Sequence, residues 1–371
     1  MRFGIAFPTH ISSWDLIRYA EELGYESAWV PDSQMIWSDC YATMALGALS
    51  TSRIRIGTGV AIAGTRIAPV TAHSIASINQ LAPGRVFLGI GTGHTAMRVM
   101  GQEPMPVDEF REYLRVVRAL LDGREVDYTY RGRTRRIAFL HRDRRFVNVD
   151  DRVPMYVAAT LPKALRSAGA YGDGWMTTTL DPEGYAAAMQ EVKAGAKEVG
   201  RILPSDFHTA CITSICVLRP GDRLTDERVI NETGPMVTTT LHFTWENWRK
   251  HGRKDALIPP FFASIWDDYT RRVEGYSLPE NARFRQIHDG HATFLQPDER
   301  RFVTPETISA TCVVGKPDDI AARIRELEKM GVGEVVLLPA MDCQRRVLGQ
   351  IAETVFPLCS GGVRAVTGAQ A

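Results

Sequence analysis

The amino-acid sequence predicts an α/β protein, a single (β/α)8 TIM barrel with insertions, the largest of them between strands 7 and 8. Three observations predict it. Short runs rich in Val, Ile, Ala and aromatics are followed by polar turns and then by apolar residues at helical spacing. That alternation repeats through eight strands without a change of grammar, which favours a barrel over a doubly wound sheet. A barrel takes about 250 residues, whereas the chain has 371, so the surplus falls in insertions.

Strand 1 is expected over Arg2–Phe7, before a helix whose apolar face carries Trp14, Ile17, Ala20 and Leu23. Ser27–Val30 precedes a helix with Tyr41, Met44, Ala45, Ala48 and Leu49. Ile54–Ala61 precedes a helix over 68–81, and Val86–Ile90, entered through a turn at Gly84, precedes one over 107–121. Met155–Ala159 runs into a helix opened by Pro162, and Trp175–Thr178 into one over 182–199, since proline suits a first helical turn. Phe207–Leu218 is the seventh strand. Glu334–Leu338 is the eighth, after a helix over 317–330 that ends at Gly331.

Two insertions stand out. Residues 124–148 contain Tyr128-Thr129-Tyr130-Arg131-Gly132-Arg133-Thr134, a hairpin around a glycine turn. Residues 219–310 hold Trp245, Trp248 and Trp266 with Phe261, Phe262 and Tyr269. Lying on the catalytic side of the barrel, this segment reads equally as a lid or substrate wall and as an oligomer contact.

Composition narrows the function. Forty-four Lys and Arg against 43 Asp and Glu leave a net charge of +1, which argues against a partner held by phosphate neutralisation such as nucleic acid. The first apolar run breaks at Pro8, too early for a signal-peptide core, and no stretch of about 18 apolar residues suggests a membrane span. A cytoplasmic protein is expected. The six cysteines form no CxxC pair, so free thiols are expected; Cys211 and Cys216 fall on opposite faces of one strand and read as packing residues.

In a barrel the chemistry collects at the carboxyl ends of the strands. His10, Asp32 and His94 occupy such ends after strands 1, 2 and 4, so three ionisable groups are expected to face one cavity. Gly89, Gly91 and Gly93 form GxGxG rather than a dinucleotide fingerprint, and read either as close approach to a flat ligand or as a tight turn. The turn after strand 5 places Thr160 and Lys163 at a helix start, where backbone N–H groups can hold a phosphate. His288 and His291 lack a helical register and an obvious third ligand, and no metal is expected there.

The segments Gly24-Tyr25-Glu26-Ser27-Ala28-Trp29-Val30-Pro31-Asp32, Arg55-Ile56-Gly57-Thr58-Gly59-Val60, Pro83–Gly93 and Pro154–Ala159 resemble the bacterial luciferase-like oxidoreductases, over most of 1–220 and again at 312–340. The resemblance implies a barrel that binds FMN or the deazaflavin coenzyme F420 at its carboxyl face, with spacing nearest the deazaflavin branch. It also implies a cis peptide at Gly59-Val60 against the ring, Thr92 and Gly93 beside it, and the turn Ala159, Thr160, Leu161 and Lys163 around the cofactor phosphate. Asp32 falls where the branch has an acid and Trp37 where it has an active-site tryptophan, here a wall of the substrate pocket. Ser33 replaces a histidine after the acid, and His94 stands where sugar-phosphate enzymes place a glutamate, which argues against a sugar phosphate as substrate. The turn at 160–163 lacks the glycine usual before its proline. A homodimer is implied by the resemblance alone.

The leading expectation is therefore an oxidoreductase acting on a small organic substrate by hydride transfer or monooxygenation. His94 would be its general acid or base, with Asp32 as orienter or ring-nitrogen partner and His10 as a further proton carrier. The alternatives are a barrel hydrolase or lyase using His10, Asp32 and His94, and a non-catalytic flavin-binding homologue.

Overall fold

The computed structural model describes residues 1–359. Eleven strands are formed: β1 Arg2–Ala6, β2 Ser27–Val30, β3 Arg55–Ile62, β4 Val86–Gly91, β5 Val126–Tyr130, β6 Arg133–Ile137, β7 Met155–Ala158, β8 Gly174–Thr177, β9 His208–Val217, β10 Cys312–Gly315 and β11 Glu334–Leu337. The parallel sheet runs β10-β9-β11-β1-β2-β3-β4-β7-β8, and the further pairing of β8 with β9 closes the eight strands other than β10 into a barrel. These strands are buried on both faces, which is why they read as unbroken apolar runs. The expected fold class is observed, and β5 and β6 form the expected antiparallel hairpin.

The helices are α1 Trp14–Leu23, α2 Cys40–Ser50, α3 Ala68–Leu81, α4 His94–Val99, α5 Val107–Leu121, α6 Pro162–Tyr171, α7 Pro182–Glu198, α8 Glu227–Lys250, α9 Trp266–Glu274, α10 Phe284–Ile287, α11 Pro305–Thr311, α12 Pro317–Met330, α13 Gln344–Thr354 and α14 Phe356–Cys359. Local chemistry sets several ends. The Asp39 and Asp181 carboxylates accept from Ala42 N and Gly184 N at the starts of α2 and α7, and α12 stops at Gly331 in the left-handed region. In α5, Phe110, Leu114, Val117 and Leu121 are buried against the barrel, while Asp108 and Glu109 sit in the first turn. Among the described residues no helix is long and apolar enough to cross a membrane.

Strand 7 departs from expectation. Only the first part of β9 belongs to the barrel, where Ala210–Thr213 pairs with β11; Ser214–Val217 leaves it and pairs with β10. The strand β10 was not anticipated, because four residues after a helix carry too little periodicity to register.

A second core runs from the barrel interior, at Trp29, Phe87 and Tyr156, into the insertion, at Trp245, Trp248, Phe262, Trp266 and Tyr269. The insertion is thus built onto the barrel mouth. Its tryptophans pack into this core, and the cavity at the barrel mouth is lined by other residues of the insertion. The six cysteines are free, with Cys211 and Cys216 buried.

At the opposite end of the barrel, buried Glu334 accepts from Trp29 Nε1 at 3.0 Å, from Ser27 Oγ and from His208 Nε2 at 2.7 Å. Arg2 Nη2 lies 2.7 Å from His208 Nδ1. Because arginine can only donate, Nδ1 accepts and the His208 proton sits on Nε2, facing the carboxylate.

A candidate active site at the carboxyl end of the barrel

A cavity of about 320 Å³ opens at the carboxyl ends of the strands. On the barrel side it is lined by Val60, Ile62, Ile212 and Leu338, and on the other by Met236, Thr239, Thr240 and Phe243 of α8. The insertion therefore supplies one wall of the cavity through α8. Sequence pattern missed these α8 residues, since a helix with polar and apolar residues on each face shows only that it is covered.

The Gly59–Val60 peptide is cis, as the resemblance implied. A Cβ at Gly59 would lie 2.6 Å from that of Trp29, so the bulge in β3 can be made only with glycine there. A Cβ at Gly89 would meet Thr58 O at 2.2 Å, and Gly93, at φ +83°, would meet Ile62 at 2.2 Å. These glycines serve the packing of β3 on β4 and the left-handed turn into α4, so approach to a ligand is not what requires them.

Asp32, 3% exposed, lines the cavity. Its Oδ2 accepts from Arg66 Nη1 at 2.7 Å and Ile62 N at 3.2 Å, and its Oδ1 from Gln34 Nε2 at 2.5 Å. A carboxylate so engaged ties the β2 end to β3 and to Arg66. Trp37 lines the cavity and donates from Nε1 to Thr293 Oγ1 at 3.0 Å, which fastens the β2–α2 loop to the insertion.

His94 lines the cavity as the first residue of α4, with its ring 4.6 Å from that of Phe243. Arg98, one turn on, donates to His94 Nδ1 at 3.0 Å and also to the Glu246 carboxylate. His94 Nδ1 is 3.6 Å from Glu246, farther than from Arg98. Nδ1 therefore accepts and Nε2 carries the proton. Burial pushes the imidazole below its usual value, with Arg98 acting in the same direction and Glu246 against it. Burial alone would raise Glu246, but its hydrogen bond with His288, the neighbouring His94 and the Arg98 charge outweigh it and hold the carboxyl well below the usual range.

His10 does not join them. It is exposed at the end of strand 1, with its Nδ1 accepting from Ser12 N at 3.2 Å. The buried residue at that strand end is Thr9, whose hydroxyl donates to Pro31 O at 2.7 Å. Past the end of β1 it is Thr9, not His10, that is buried. The trio required by a hydrolase of His10, Asp32 and His94 is thus not assembled.

Among the cofactor candidates, Gly59, Val60 and Thr160 line the cavity, whereas Thr92, Gly93, Ala159, Leu161 and Lys163 do not. Thr92 O accepts from Met105 N, and Ala159 O from Trp175 Nε1 at 2.8 Å. Leu161 and Lys163 are exposed at the rim, where α6 begins. The pair His288 and His291 also proves incomplete as read, because His242 of α8 lies with them, their ligand nitrogens within 4.8 Å of one another.

Residues 1–334 match the family model of luciferase-like monooxygenases. The chain belongs to this family. As a luciferase-like chain it is an oxidoreductase, and relatives agree along nearly its whole length. It is 33% identical over 343 residues to the 5,10-methylenetetrahydromethanopterin reductase of Methanolobus tindarius, covering 91% of this chain and 93% of that one. It is 33% identical over 196 residues to the F420-dependent hydroxymycolic acid dehydrogenase of Mycobacterium tuberculosis, covering 49% of this chain and 52% of that one. In fold, it matches the coenzyme F420 dependent tetrahydromethanopterin reductase of Methanopyrus kandleri with TM-score 0.66 at 22% identity, covering 96% and 98% of the two chains.

Proposed function

We propose that this luciferase-like chain transfers hydride between coenzyme F420 and a small organic substrate, with His94 holding the proton that the substrate heteroatom meets. The observation that carries the reading is the His94 ring in the cavity wall, its Nδ1 held by Arg98 and its Nε2–H left for the cavity. Relatives named as F420-dependent, in both sequence and fold, support the choice of the deazaflavin.

The residues fit such a group. A flat fused ring needs an apolar slot, and Val60, Ile62, Ile212 and Leu338 form one side of it, while Thr160, Thr178, Thr239 and Thr240 offer hydroxyls to ring oxygens and nitrogens. The exposed turn of Thr160, Leu161 and Lys163 offers backbone N–H groups and a cation to a phosphate at the start of α6. When bound, the deazaflavin supplies the hydride.

The chain's own part is positional and protic. Asp32, through Ile62 N and Arg66, fixes the β3 bulge that would support the ring. Met236 and Phe243 keep water from the face where the substrate lies, and His94 Nε2–H stabilises charge on its heteroatom. A cytoplasmic homodimer is part of this reading; Leu46 and Leu49 of α2 and Ile67 and Val70 beside it are exposed apolar residues on adjacent elements that a second copy would cover.

Fluorescence titration with F420 and, separately, FMN tests the cofactor. Saturable micromolar binding of F420 is expected. Binding of FMN alone would replace the reading with flavin chemistry, and binding of neither would remove it.

A further inference from the structure

We propose that His242, His288 and His291 form a binding site for a divalent metal ion with a preference for imidazole, zinc foremost, inside the insertion.

Three observations converge on it. The ligand nitrogens of the three histidines lie within 4.8 Å of one another, and the His288 ring stands edge-on to His242 at 6.1 Å and to His291 at 5.7 Å. Nδ1 of each is buried without a hydrogen-bond partner. The outer nitrogens of two are held by carboxylates: His242 Nε2 lies 2.7 Å from Glu299 and His288 Nε2 3.1 Å from Glu246.

The carboxylates decide the tautomers. Each Nε2–H donates outward to a glutamate, so the unprotonated Nδ1 faces inward in His242 and His288. A carboxylate behind a histidine is the arrangement that orients a metal-binding imidazole and raises its basicity. Glu299 is itself fixed by Arg272 Nη1 at 3.1 Å, and Glu246 by Arg98.

Buried nitrogen lone pairs left unpaired are costly. With His291 in the same tautomer as its neighbours there are three acceptors, one more than the two protons of a single water can meet, whereas one cation serves all three. Three imidazoles without thiolate suit zinc and the neighbouring first-row ions, and disfavour magnesium and calcium, which take oxygen ligands.

The site joins α8 to the segment after α10. Gly290, at φ +76°, makes the turn that sets His291 back toward His288, and a Cβ there would strike Phe294 O at 2.6 Å. His291 and Ala292 also line the cavity beside α8. A bound ion would therefore pin one wall of the cavity to the other, independently of which cofactor the barrel accepts.

The test needs neither cofactor nor substrate. Full-length protein is stripped with chelator, then titrated with Zn²⁺ by calorimetry, and its metal content is measured after dialysis. One zinc per chain is expected, with a rise in Tm on saturation. His291→Gln, at a half-buried position, is expected to abolish binding, and Glu299→Gln to weaken it about tenfold to a hundredfold, while His141→Gln at an exposed site leaves it unchanged. Co²⁺ added to unaltered protein is expected to give the intense visible bands of a low-coordinate nitrogen site, a readout that does not depend on any variant folding. Absence of retained or titratable zinc, or equal binding in His291→Gln, would overturn the proposal, as would a cobalt spectrum no different from the aqueous ion.

Discussion

Arg98 donates to His94 Nδ1 at 3.0 Å from one turn further along α4, and the same guanidinium holds Glu246 of the insertion. A short helix that grows directly from the end of β4 thus fixes the proton of His94 on Nε2 through its own Arg98, which Glu246 from a distant part of the chain holds in turn. Replacing His94 by Ala removes that proton and is expected to lower kcat about a hundredfold or more with KM changed little. Single-turnover hydride transfer under saturating cofactor measures it, and a rate within a few fold of the parent would discard His94 as the proton carrier.

The Asp32–Arg66 pair predicts a different kind of loss. Asp32 is buried and Arg66 largely so, at 2.7 Å, and removal of one partner leaves the other short of charge compensation. Asp32→Ala is expected to cost about 3 kcal/mol of stability, read from urea unfolding, and to loosen the cofactor through the displaced β3. His10→Ala, at an exposed position, is expected to stay within about 0.5 kcal/mol of the parent and to keep full turnover. Reduced turnover in His10→Ala would restore the role that its place in the sequence suggested.

Strand ends were legible in the sequence because barrel strands are buried on both faces and leave unbroken apolar runs. Which residue at an end faces inward was not, since beyond the last paired residue the strand period no longer applies, and after β1 it is Thr9 and not His10 that is buried. Asp32 was legible as an acid at a strand end, but its engagement by Arg66, more than thirty residues on, depends on closure of the barrel. Of the site, Val60, Trp37 and His94 were found from the barrel grammar and the resemblance. Phe243, Glu246 and His242 were missed because their spacing is simply that of a buried helix. The histidine trio is the extreme case: His288 and His291 stand close in the sequence, but His242 meets them only when α8 folds back over residues 288–291, and no local motif ties it to them.

Glu334 predicts the acid limb of stability. Burial acts to raise its carboxyl, but the hydrogen bonds from His208, Ser27 and Trp29 prevail and bring it down to about 2 from an ordinary 4.5. A carboxyl lower in the folded than in the unfolded state contributes stability that is complete above pH 4.5 and is lost as pH falls toward about 2. The loss is about 3 kcal/mol over that interval. Unfolding free energies measured by urea across it are expected to fall with a slope that Glu334→Gln removes. An unchanged slope in that variant would assign the acid limb to other carboxyls.

Phe243 and Glu246 act on His94 in opposite directions, which gives a paired test of its titration. Burial is the largest influence lowering the His94 imidazole below 6.5, and Phe243, with its ring 4.6 Å away, is part of what excludes water; Glu246 is the influence that raises it. Opening the wall with Phe243→Ala restores solvent to the ring and is expected to move the acid inflection of kcat upward toward 6.5, together with a higher KM from the lost substrate wall. Glu246→Gln removes the negative charge and is expected to move the same inflection downward. The neutral imidazole is the form with Nε2–H and a free Nδ1 acceptor for Arg98, so activity rises with pH through the inflection in every case. Shifts of the same sign in the two variants would show that the inflection belongs to a group other than His94.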